Sequence, residues 1–361
     1  MVYMRFTLDR STPSLWRVTF SHPPFNLIDS VMIGELGELF AEIERNEGPA
    51  VLVFDSADPN YFLAHYDITA ANRSLVDSLP AGPTGLHPWL DIVLRLGRLP
   101  AITIAAIRGR ARGAGSEFVL ASDIRFASRQ RAVLGQMEVG FGAIPGGGPA
   151  SWLPRLVGRG RAFEILVGGE DFDGELAERY GYVNRAIPDD EFESFVDRFA
   201  RRVSTFDRQA LADIKRFVNK VSLPADEEFP PQMDAFWEAA ARPALEARAS
   251  KAFEDGLQQR TAPRGVRGTV RLNRPVASVH EVTRMRNRSA IGKGLKHDRH
   301  FCHCRKHPGG PFLGKAREVD FAAPEETRWR RCTASRSSRL SDAILRSACN
   351  AGHARSRALQ G

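Results

Sequence analysis

The first 263 residues of this 361-residue chain contain no cysteine; all four, Cys302, Cys304, Cys332 and Cys349, lie beyond Pro263. A long body without thiols is not held by disulfides, and a reducing, cytoplasmic setting suits it. No run approaches the roughly 18 apolar residues that a membrane-spanning helix requires, so no membrane partner is expected. Met1 to Arg10 carries Arg5, Asp9 and Arg10 and lacks the apolar stretch of a signal peptide. No GxGxxG occurs, and Gly146-Gly147-Gly148 is not followed by Lys-Ser/Thr, which argues for a tight turn rather than a phosphate cradle. No segment repeats at a fixed period.

The net charge of +8 averages two unlike segments. Beyond Pro263 there are 22 Lys and Arg against 7 Asp and Glu, while the preceding residues hold 29 against 36. Runs such as Arg284-Met285-Arg286-Asn287-Arg288 carry no sustained period of two or 3.6. Such a segment buries too little surface to offset its ordering entropy. Residues 261–361 therefore read as a basic tail, disordered or a non-native extension of the kind a shifted reading frame produces. Without interleaved aromatics it supports only non-specific attraction to nucleic acid. Its His300-Phe301-Cys302-His303-Cys304 cluster has no known zinc spacing, so no metal is expected.

Within residues 4–260 the pattern is ordered. Two alternating runs within residues 4–20 predict a β-hairpin. Asp29 predicts an N-cap before Val31, Ile33, Leu36, Leu39, Phe40 and Ile43 at helical spacing. Residues 50–54 and 100–107 predict buried strands, and 123–127 a third. Helices are predicted over 86–96, ended by Gly97 and Pro100, and from Gly113 to Ala121. Further helices are predicted over 150–157, 159–167, 173–180, 189–204, 207–220 and 232–256. Alternating strands and helices followed by helices alone argue an α/β fold with a helical C-terminal region.

Two carboxylates, Glu117 and Glu138, each follow a glycine-marked turn and flank a short strand. Such a pair supports general acid/base chemistry if its members' environments push their pKa values apart.

Three segments make this pair specific. Ala105 to Glu117, Leu134 to Gly148, and Tyr61-Phe62-Leu63-Ala64-His65-Tyr66-Asp67-Ile68 occur in the order and spacing of the crotonase superfamily, the enoyl-CoA hydratases and isomerases, which residues 4–257 resemble. The resemblance implies a crotonase-type ββα spiral core over about 4–190 and trimerisation-type helices over about 190–260. It implies an acyl-CoA substrate and a homo-trimer or hexamer. It further implies an oxyanion hole from the backbone amides of Tyr66 and Ala114, with Glu117 and Glu138 holding and activating water. Ala64, His65, Asp67, Ile68, Gly113, Pro145 and Gly146 fall at positions implied to contact substrate or CoA. No cofactor is implied; coenzyme A arrives with the substrate. Having both glutamates favours hydration of a 2-enoyl-CoA over the isomerase and thioester-hydrolase chemistries of the same superfamily. The alternatives of another class are a non-catalytic CoA-binding scaffold and a nucleic-acid binder acting through the basic tail. The chain departs from the family pattern at His65, where glycine is usual, and at Pro149-Ala150-Ser151-Trp152. His65 reads as a polar loop residue shaping the pocket, and Asp67 as a turn or N-cap residue.

Overall fold

The computed structural model describes residues 2–258. The expectations for the tail and its histidine–cysteine cluster lie outside them.

The two alternating runs form the predicted hairpin, β1 (Phe6–Thr12) antiparallel to β2 (Leu15–Phe20). Asp29 caps α1 (Ser30–Glu42) as expected, its Oδ1 accepting from the Met32 amide at 2.9 Å. The chain continues through β3 (Val51–Ser56), β4 (Tyr61–Leu63), α2 (Ala70–Asp77) and α3 (Pro88–Arg98). Next come β5 (Ile102–Ile107), β6 (Arg110–Arg112), α4 (Ala114–Ala121), β7 (Ile124–Ser128) and β8 (Val133–Gly135). The second half holds α5 (Glu138–Phe141), α6 (Pro149–Val157), α7 (Arg159–Gly168), β9 (Phe172–Asp173), α8 (Gly174–Tyr180) and β10 (Arg185–Ile187). Four helices follow: α9 (Asp189–Ser204), α10 (Arg208–Ser222), α11 (Pro230–Ala240) and α12 (Pro243–Glu254).

Six strands form one sheet in the order β1-β2-β3-β5-β7-β10, parallel from β2 onward. The alternation of side chains explains the apolar runs. In β3, Leu52 and Phe54 enter the main core with Phe20 and Phe118. Val51 and Val53 face the other way and pack with Ile104, Phe126 and the α9 residues Phe192 and Val196. A strand covered on both faces has no wet side, so its sequence is apolar throughout. A second sheet, β4-β6-β8-β9, is made of strands of two or three residues.

Most helix ends shift by one or two residues, and two departures have an identifiable physical cause. Gly97 does not end α3, which runs on to Arg98. The terminator is Leu99, whose ψ of 138 reflects the exclusion of the residue before a proline from the helical region. The helix predicted over 232–256 is two, α11 and α12, separated at Arg242. Pro243 has no amide hydrogen to continue α11, and it occupies the first turn of α12, where none is needed.

Candidate active site

Strands β4, β6 and β8 are parallel neighbours, so their C-terminal ends emerge along one edge. Each delivers one component of the site there. His65 and Tyr66 follow β4, Gly113 and α4 follow β6, and Met137 and Glu138 follow β8. Binding groups commonly gather beyond the carboxyl ends of parallel strands, because the loops there converge.

Glu117 lies on α4 and is 3% exposed. The Trp89 indole N–H donates to its Oε2 at 2.6 Å, and the Gly147 amide donates to its Oε1 at 2.8 Å. Burial pushes its pKa up, while those two donors pull it down. Glu138 is raised as well, first by burial and then by the charge of Glu117. Its Oε2 is buried with no partner among the described residues. The donors on Glu117 favour its ionised form, and burial together with the charge of Glu117 pushes Glu138 further toward its protonated form, although the Glu138 and Met137 amides pull it back in part.

Two glycines admit these side chains. Gly113 has φ +49, and a Cβ there would lie 2.6 Å from Glu138 Oε1. At Gly147 a Cβ would collide with Glu117 Oε2.

Two residues of the cavity lining have backbone amides without a backbone acceptor among the described residues. The bridge between Ile28 and the Tyr66 loop uses the His65 carbonyl, accepting from Ile28 at 3.0 Å, and the Asp67 amide, donating to the Ile28 carbonyl at 2.9 Å. The Tyr66 amide falls between them and has no backbone acceptor among the described residues. Ala114 is the first residue of α4, so its N–H has no acceptor within the helix.

These groups line a cavity of about 420 Å³. Of the residues singled out in the sequence, His65, Tyr66, Asp67, Ile68, Ala114, Glu117, Glu138 and Gly146 line it. Ala64, Gly113 and Pro145 lie outside this lining. Ala64 is buried and ties β4 into the fold, its amide donating to the Asn26 carbonyl and its carbonyl accepting from Arg112. Gly113 makes room for Glu138 from behind. Pro145 is buried between Ala143 and Gly146, which form the wall at that point.

His65 Nδ1–H donates to the Tyr66 carbonyl at 2.7 Å, and burial lowers its pKa, so it is a neutral residue folded back on its own loop. Asp67 is a turn residue, accepting from the Thr69 amide, but the N-cap of α2 is Thr69. Sequence reasoning missed Trp89, Gly147 and the roof of the cavity, where Met233, Phe236 and Trp237 of α11 and Leu245 of α12 close over the site. The triple glycine was a visible signal for Gly147, but its partner lies 30 residues away. Among the described residues no group of three His, Cys, Asp or Glu side chains could hold a metal, and no helix is long and apolar enough to cross a membrane.

Residues 10–238 match the enoyl-CoA hydratase/isomerase family. The chain belongs to that family. Among enoyl-CoA hydratase/isomerase relatives, the chain is 42% identical to a candidate enoyl-CoA hydratase from Streptomyces avermitilis of known structure, with a TM-score of 0.68 over 73% of this chain and 94% of that one. It is 29% identical to the short-chain-enoyl-CoA hydratase of Clostridium acetobutylicum over 56% of this chain and 77% of that protein. Its match to the mitochondrial enoyl-CoA hydratase domain-containing protein 2 of Mus musculus, at 32% identity, takes in 46% of this chain and spans 55% of the mouse protein's length. The crotonase-type fold is shared with that solved structure, and its helical C-terminal region is α9 to α12.

Proposed function

We propose that this chain adds water reversibly to a 2-enoyl-CoA thioester. The observation that carries this reading is the unequal pair of glutamates in one cavity. Glu117 has both oxygens occupied by N–H donors, while Glu138 keeps one buried oxygen unpartnered. Glu117 acts as the base and takes a proton from water as the water oxygen bonds to Cβ. The π electrons of the double bond move toward the thioester, and the amides of Tyr66 and Ala114 hold the enolate oxygen. Glu138 delivers its proton to Cα as the electron pair returns. The proton gained by Glu117 passes back to Glu138 before the next turnover. Coenzyme A enters as part of the substrate, and the scheme calls on no metal or redox group.

Hydration of a panel of 2-enoyl-CoA esters tests the reading, with double-bond shift in 3-enoyl-CoA and thioester hydrolysis followed in parallel. Glu117→Gln and Glu138→Gln are each expected to lower kcat for hydration by about 10²–10⁴-fold. Full hydration in both variants would sink the two-carboxylate scheme. Isomerisation without hydration in the parent chain would replace hydratase with isomerase.

A further inference from the structure

Two residues of the cavity lining carry orphaned donors. Tyr66 Oη and His87 Nε2 are both buried and have no partner among the described residues, and both residues line the cavity. The tautomer of His87 is fixed by its neighbour. His87 caps α3, its Nδ1 accepting the Trp89 amide at 3.2 Å, so in the neutral ring the hydrogen sits on Nε2. Burial lowers the pKa of His87 and raises that of Tyr66, which keeps both groups uncharged donors. The two belong to one neighbourhood, since the Asp77 carboxylate acts on both. The indole of Trp237 lies 5.9 Å from the His87 ring and 4.2 Å beneath the Arg73 guanidinium.

A cavity for a plain alkyl chain needs no such groups, because a buried donor left without an acceptor costs stability. Buried polar groups in a mostly apolar pocket set ligand orientation and choice. The charges nearby are of both signs. Arg73 is offset by Asp77, and Glu246 of α12 also lines the cavity. That balance suits an uncharged acceptor better than an anion.

Resting on the acyl-thioester reading of the cavity, we propose that Tyr66 Oη and His87 Nε2 select acyl chains bearing an uncharged hydrogen-bond-accepting oxygen, a ketone or hydroxyl, beyond the reacting carbons. Tyr66 then acts twice. Its amide meets the thioester oxygen, and its phenol meets the oxygen further along the chain. A site built to hydrogen-bond a substrate oxygen rejects the analogue lacking it, because the donors are left unpaired.

The experiment measures binding rather than turnover, so it does not depend on which reaction the enzyme performs. Calorimetric titration of the full chain would compare hexanoyl-CoA, its analogues with an oxo group on each carbon beyond Cβ in turn, and adipoyl-CoA. At least one oxo analogue is expected to bind about tenfold more tightly than hexanoyl-CoA. Tyr66→Phe, which keeps the amide and removes only the hydroxyl, is expected to abolish most of that preference. His87→Asn, which keeps an N-cap acceptor, is expected to reduce it. Equal affinities across the series would overturn the inference and leave the hydratase reading standing. Tightest binding of adipoyl-CoA would overturn it in favour of charge recognition, and an undiminished preference in Tyr66→Phe would overturn the assignment of the donor. No binding of any thioester would overturn the acyl-thioester reading together with the inference.

Discussion

Glu138 is protonated in the folded chain at a pH where an ordinary glutamate is ionised, and this has a cost for stability. Its folded pKa is raised above the usual 4.5 by burial and by Glu117. Between that value and the raised one, the folded state binds a proton that the unfolded state has released. Stability therefore falls as pH rises through this window, and below it both states are protonated and nothing is lost. Glu138→Gln removes the titrating group while keeping its shape. The variant is expected to melt above the parent at about pH 8.5 and to lose most of that advantage at about pH 5, with about 2–4 °C for each kcal/mol recovered. A constant difference across the range, read by calorimetry, would contradict the raised pKa. The glutamates themselves were legible in the sequence, because flanking motifs fixed their positions. Their inequality was not. It depends on donors from Trp89 and Gly147, which the chain brings to Glu117 from 28 residues before it and 30 after.

At the scale of elements, the roof is the part that sequence reasoning draws least well. Periodicity over 232–256 is continuous enough to suggest one helix, yet Pro243 divides it. The break turns α12 back so that Leu245 and Glu246 join Met233, Phe236 and Trp237 around the cavity. In the proposed hydratase these side chains would meet the substrate away from the reacting atoms and so contribute equally to its ground and transition states. Phe236→Ala is accordingly expected to raise KM by roughly tenfold while leaving kcat within about a factor of three. Steady-state kinetics check this, and a drop in kcat without change in KM would place Phe236 nearer the chemistry. The long strands were legible because β3 and β5 are apolar runs bounded by turn residues, too short for a helix and too apolar for a surface loop. Strands β4, β6 and β8 were not, since three residues hold less than two full alternations.

At the scale of the whole molecule, residues 6 to 257 enclose a core that runs across both faces of the six-stranded sheet. The site stands on the smaller sheet, whose carriers are three-residue strands held in place by that core. Strands of that length have no stability of their own. If their stability comes wholly from the core, the scaffold and the site carried by these strands are lost together. Residual catalytic activity and near-ultraviolet circular dichroism, followed along one urea titration, are expected to share a midpoint; earlier loss of activity would show that the small sheet opens independently. Catalysis in such a protein doubles as a thermometer for its fold, and any substitution that weakens the core, however far from Glu117, is felt first as a shrinking fraction of competent molecules rather than as a poorer catalyst.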